Sequence, residues 1–171
     1  MPTLDPTLEA VYADFVPPLR GDAQAPLIVY VFTDYLCPQC RTLARETLVE
    51  VDRRYVGGGQ VALSLVDLPM PAHGYPAFAA HEAAHCASEQ GRYWEMHDAL
   101  FEHQTDLASV DARQERQARS LVVEIGGRIG LETEPLEACL EAGRYRTLGS
   151  AMEQTAIESG MSKGLFLATN T

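Results

Sequence analysis

Two cysteines at C-x-x-C spacing, Cys37-Pro38-Gln39-Cys40, are the residues of this chain best suited to chemistry. Thiols three residues apart can close a disulfide and reopen it, so the pair reads as a redox device. Zinc sites use the same spacing, and the context decides between the two readings. The motif follows the apolar run Leu27-Ile28-Val29-Tyr30-Val31-Phe32 and opens a segment with helical spacing, Arg41 to Tyr55. A thiol at a helix N-terminus faces free N–H groups and the positive end of the helix dipole. That position lowers a cysteine pKa from about 8.5 to between about 3.5 and 7.5. Cys37 is therefore expected to be the nucleophile and partly exposed. Cys40, one turn on, is expected to be the resolving thiol, in an exchange that needs no cofactor.

The elements that position the pair follow from pattern. Leu27–Phe32 suits a strand buried on both faces. Leu43, Ala44, Thr47, Leu48 and Val51 give helix 41–55 an inward stripe, and Gly57-Gly58-Gly59 ends it. Val61–Val66 is a second strand, so the three form a βαβ unit with parallel strands. Asp67-Leu68-Pro69-Met70-Pro71 breaks the chain, and the sequence beyond it is mostly helical in pattern. Helices are expected over 76–90, 93–104, onward from an Asp111 cap with Gln114 at the capping-box position, from Thr133 to Gly143, and over 144–159. Leu165–Ala168 is expected to form one short strand with an unpaired edge. The boundaries are an N-terminal arm (1–26), a βαβ part (27–70), an inserted helical subdomain (71–143), and a return helix with a partial strand (144–171).

Bulk properties narrow the function. A 171-residue chain with 46% hydrophobic residues is one domain with a substantial core. The formal net charge of −11 argues against nucleic acid as a partner. No window reaches membrane-span length, so membrane insertion is not expected. Residues 1–9 carry no basic or apolar leader region. The chain reads as cytoplasmic, or as an exported domain if Met1 replaces a removed leader.

With these elements in place, the chain resembles the DsbA-like thiol-disulfide oxidoreductases of the thioredoxin superfamily. Four stretches carry the likeness: Gly21–Pro26 before the first core strand, Phe32–Cys40 at the motif, Asp67-Leu68-Pro69 followed by His73, and Glu89–Phe101. The resemblance implies an α/β, thioredoxin-like fold with a helical domain inserted after the second parallel strand. Its partners would be protein thiols and disulfides plus a redox partner of unknown identity. The family's strong oxidants carry Pro-His between the cysteines. Pro38 and Gln39 stand there here, and an uncharged Gln39 is expected to give a less oxidising pair. The family also continues into a Thr-Pro step whose cis proline faces the cysteines, followed by a hairpin strand and a helix. Here the sequence reads Lys163-Gly164-Leu165, and its last proline is Pro135. The resemblance thus implies a truncated C-terminal hairpin, and with it an edge on which a second copy could pair.

Other residues admit two readings. Some family members link helices of the inserted block by a structural disulfide, which would pair Cys86 with Cys139; otherwise both are buried small hydrophobes. His81-Glu82-Ala83-Ala84-His85 spells H-E-x-x-H, the pattern of a zinc hydrolase. The surrounding sequence fits the helical insert instead, and no metal is expected. A truncated, weakly active thioredoxin-like binding module is the alternative to an active oxidoreductase. Asp34 is expected to bond loop N–H groups, and His73 to lie near the active-site surface. His97 reads as a satisfied helix histidine. Tyr35 and Leu36 are expected to offer an apolar surface to unfolded substrates.

Overall fold

The computed structural model describes residues 18–148, 151 and 154, together with the backbone of 164–169. The early part of the N-terminal arm, most of the second half of helix 144–159, and Lys163 lie outside the described residues. Strand β1 is Leu19–Arg20, β2 is Leu27–Thr33, β3 is Val61–Asp67 and β4 is Gly164–Thr169, in the sheet order β1-β3-β2-β4. The β-branched run of β2 pairs in parallel with β3 from Leu27↔Val61 to Thr33↔Asp67. β4 runs antiparallel to β2, from Leu27↔Thr169 to Phe32↔Gly164. The last strand is thus hydrogen-bonded along one side, and only its outer edge is open among the described strands. It was expected as a shorter strand, Leu165–Ala168, with an unpaired edge. Pairing with β4 gives the backbone groups on that side of β2 their partners, as buried backbone requires.

Helix α1 runs over 38–56 and crosses from β2 to β3. It alternates α-helical turns, Pro38–Thr42 and Leu48–Val51, with wider π turns, Leu43–Thr47 and Asp52–Val56. It begins at Pro38, three residues before the expected start. Proline favours the first helical position because its fixed φ suits the helix and no N–H is missed there. Cys40 therefore lies inside the first turn.

After β3 come a short 3-10 turn, Pro71–His73, and the helices α2 Gly74–Ser88, α3 Tyr93–Glu102, α4 Gln104–Ser109, α5 Glu115–Arg128 and α6 Thr133–Ala142. Eleven of the fifteen residues of α2 are buried, most of them alanines. A helix buried nearly all round is a central helix, and its small side chains let α3, α5 and α6 approach closely. Residues 146–148, 151 and 154 are helical, in line with a return helix.

Two expected boundaries move. The single helix 93–104 breaks at His103, whose φ of −91° and ψ of 18° leave the helical region. The capping box at Asp111 does not form. Gln114 is the N-cap without a side-chain bond, and Asp111 instead accepts the Arg113 N–H within a preceding turn, at 2.8 Å.

Candidate functional site

Cys37 is the N-cap of α1, with extended backbone at φ −82° and ψ 119°. Its carbonyl accepts the Arg41 N–H at 3.1 Å, the first bond of the helix. Both motif cysteines are free thiols. Cys37 is only 2% exposed, against the expectation of partial exposure. The thiol belongs to the main apolar core and donates to Gln39 Oε1 at 3.3 Å. Pro38, Gln39 and both thiols thus form one cluster at the start of α1.

Cys40 is 5% exposed. Burial pushes its thiol up from 9.0 to about 11; the Asp34 backbone and the Thr33 side chain pull it down, while the bond and charge of Cys37 push it further up. A thiol without water around it cannot easily become an anion.

The loop before Cys37 is saturated on its inner side by Asp34, which is fully buried. Its Oδ1 accepts the Leu36 N–H at 2.8 Å, and its carbonyl accepts the Cys37 N–H at 3.0 Å. Its Oδ2 takes the Met70 N–H and meets His73 Nδ1, each at 2.8 Å. Asp34 therefore bonds the loop, as its residue type suggested, and also ties the exit of β2 to the exit of β3. His73, 29% exposed, sits on that carboxylate. Gly74 follows with φ +61°, and a Cβ there would strike the Ala112 backbone, so only glycine fits this turn into α2.

Tyr35 contradicts the expectation of a substrate-facing surface. It is 0% exposed, and Leu36 beside it is buried. The Tyr35 ring packs among His81, Phe101 and His97 at centroid distances of 4.7, 5.0 and 5.5 Å, and its hydroxyl meets His97 Nδ1 at 3.1 Å. An aromatic side chain buries large area most favourably where its hydroxyl still finds a partner.

One residue of this region was not foreseen. Gln104, at the start of α4, turns its carboxamide inward, and its Nε2 donates to the Tyr35 carbonyl at 2.7 Å and the Cys37 carbonyl at 3.0 Å. No local pattern marks it. A polar residue at a helix end reads as solvent-facing, and only the tertiary approach of α4 to the loop reveals its use.

The H-E-x-x-H residues lie in the packed interior of α2. His81 packs against Tyr35 with the two rings tilted by 50°, and His85 packs between Tyr93 and Tyr145 at 5.4 and 5.3 Å. The Glu82 carboxylate pairs with Arg146 at 3.2 Å and lies 4.0 Å from Arg119, and burial raises its pKa. Its charge is thus committed to arginines. Among the described residues, no three His, Cys, Asp or Glu side chains converge on a shared point.

Cys86 of α2 and Cys139 of α6 form a disulfide, with Cα atoms 5.9 Å apart. Both are buried, and the Glu89 carboxylate lies 3.6 Å from Cys139 Sγ.

Comparison with known proteins places these features in context. A family model described as Thioredoxin matches residues 16–163. The Na(+)/H(+) antiporter NhaA 3 of Salinispora tropica is 41% identical over 97 residues, which are 54% of this chain and 14% of the antiporter. Disulfide bond formation protein D of Bacillus subtilis is 27% identical over 89 residues, 52% of this chain and 40% of that protein. The aligned stretch therefore spans less than half the length of either curated relative. The crystal structure of Wolbachia pipientis alpha-DsbA1 superposes with a TM-score of 0.75 at 18% identity, covering 91% of this chain and 76% of that one.

Proposed function

The chain belongs to the thioredoxin family, with the fold of its DsbA-like members, and from that premise we propose that it is a thiol-disulfide oxidoreductase exchanging disulfides with protein thiols through Cys37 and Cys40. The observation that carries this reading is the asymmetry of the two thiols. Cys37 caps a helix N-terminus, where an anion is favoured, whereas Cys40 is held neutral by burial, with a pKa of about 11.

In the oxidising direction a substrate thiolate attacks Cys37 Sγ of the Cys37–Cys40 disulfide. A substrate–Cys37 bond forms, the Cys37–Cys40 bond breaks, and Cys40 leaves and takes a proton. A second substrate thiolate then attacks the substrate sulfur of the mixed disulfide, so that the substrate's own disulfide forms, the substrate–Cys37 bond breaks and Cys37 leaves as thiolate. The substrate loses two electrons and the pair gains them. In the reducing direction Cys37 thiolate attacks a substrate disulfide, and Cys40 resolves the mixed disulfide. Gln39 presents a neutral carboxamide to Cys37 Sγ, which supports a pair less oxidising than one flanked by imidazole. A buried disulfide at Cys86–Cys139 fits an oxidising compartment. No helix among the described residues is long and apolar enough to cross a membrane. With 14% of the antiporter matched, transport is not carried over to this chain.

A thioredoxin-like binding module of low activity is the second reading. The observation favouring it is that Lys163, not a proline, precedes β4 in the sequence, where the family pattern has its substrate-facing cis proline. The test is reduction of a disulfide-bonded test protein by the pre-reduced chain. Turnover that disappears in Cys37→Ser supports exchange. Absence of turnover in the wild type, with both thiols titratable and the fold intact, leaves the binding module.

A further inference from the structure

We propose that Gln104 is a positioning residue through which the helical block sets the redox poise of the Cys37–Cys40 pair. The inference rests on the exchange reading above and adds to it a residue outside the motif.

The argument begins with the loop Asp34–Cys37. Its N–H groups at Leu36 and Cys37 are taken from the inside by Asp34. Its carbonyls at Tyr35 and Cys37 point the other way, toward α4, and both end on one nitrogen, Gln104 Nε2. Gln104 is 7% exposed, so water does not compete well for either carbonyl. A buried carbonyl left without a donor costs the full desolvation of that group, which keeps the carboxamide in place. The loop is therefore held from both faces, and neither hold belongs to the C-x-x-C motif.

The second step is electrostatic. The Cys37 carbonyl is shared between the Arg41 N–H and Gln104 Nε2. The positive end of the carboxamide dipole thus lies at the residue that carries the thiolate. In a buried site such a fixed dipole acts more strongly than in water. It favours the reduced, anionic state of Cys37, and with it the oxidising power of the pair. Tyr35 anchors the same loop from α3, through its hydroxyl and His97. Gln104 differs in acting on the nucleophile's own peptide.

The test compares wild type with Gln104→Met, which keeps the length and removes the donors, and with Gln104→Asn, which keeps an amide too short to span both carbonyls. Each is equilibrated with a glutathione redox buffer, and the Cys37 pKa is read from thiolate absorbance. Losing one to two hydrogen bonds to this loop is expected to shift the equilibrium about three- to tenfold toward the disulfide in Gln104→Met. The Cys37 pKa rises alongside, and Gln104→Asn falls between. If Gln104→Met loses thermal stability but keeps the wild-type equilibrium and Cys37 pKa, Gln104 is only structural and the proposal is overturned. If Gln104→Met does not fold, Gln104→Asn decides by the same two readings. A wild-type chain that does not equilibrate with glutathione at all overturns the exchange reading itself, a result separable from any difference among variants.

Discussion

The raised pKa of Cys40 makes a quantitative demand on stability. Replace Cys37 by serine, so that Cys40 is the remaining motif thiol. In the folded protein Cys40 keeps its proton to about pH 11, because burial is the leading cause of the shift. In the unfolded chain it ionises near the ordinary value of 9.0. Below pH 9 both states hold the proton, and Cys40 makes no pH-dependent contribution. Between 9 and 11 the unfolded state has released it and the folded state has not, so stability falls as pH rises. A displacement of two pKa units corresponds to about 3 kcal/mol lost across the window. Removing the Cys37 sulfur removes two smaller causes, which narrows the window somewhat without closing it. The assay is urea unfolding of Cys37→Ser from pH 8 to 11, with Cys37→Ser/Cys40→Ala subtracted to remove the tyrosines. Alkylation supplies a second reading. At pH 8 the Cys40 thiolate fraction is on the order of 10⁻³, about a hundredfold below that of an ordinary thiol. A stability difference that stays flat across this window, or an alkylation midpoint near 9, would refute the claim that burial holds Cys40 neutral.

Two further outcomes come from the same geometry. Asp34→Asn presents an amide to donors that Oδ2 now accepts, Met70 N–H and His73 Nδ1, and is expected to cost about 3 kcal/mol in urea unfolding. Replacing Cys86 and Cys139 together by serine opens a crosslink across 53 residues and is expected to cost about 4 kcal/mol, while the Cys37–Cys40 exchange equilibrium stays unchanged. The buried Cys86–Cys139 bond, with a carboxylate beside it, should also outlast the motif disulfide under mild reductant, as followed by mass after quenching.

What could be read from sequence was what is local. The apolar run of β2 and the C-x-x-C after it identify themselves, because the strand pattern and the thiol spacing need no distant partner. The start of α1 was placed three residues late, although Pro38 already carries the signal of a first helical position. The misplaced features have distant causes. The break at His103 separates α3 from α4 and lets Gln104 turn toward a loop sixty-nine residues earlier in the chain. Asp111 and Gln114 have the spacing of a capping box, but Asp111 spends its side chain on its own turn. Tyr35 reads as a surface aromatic because it adjoins the C-x-x-C motif. The helices that bury it come from residues 81 to 101, which no window around the motif contains.

That burial also accounts for the H-E-x-x-H spelling. If His81 and His85 served a metal, both rings would have to turn toward one point. Here His81 is turned to Tyr35 and His85 to the pair Tyr93 and Tyr145. The imidazole of His81 thus packs against Tyr35 of the loop before Cys37, and Glu82 pairs with Arg146. The two motifs in the sequence are therefore parts of one arrangement. The cysteines end the loop that holds Tyr35, and the helix spelling a zinc site supplies part of the packing around that tyrosine. The contact of the His81 ring with Tyr35 ties the middle of α2 to the loop before Cys37.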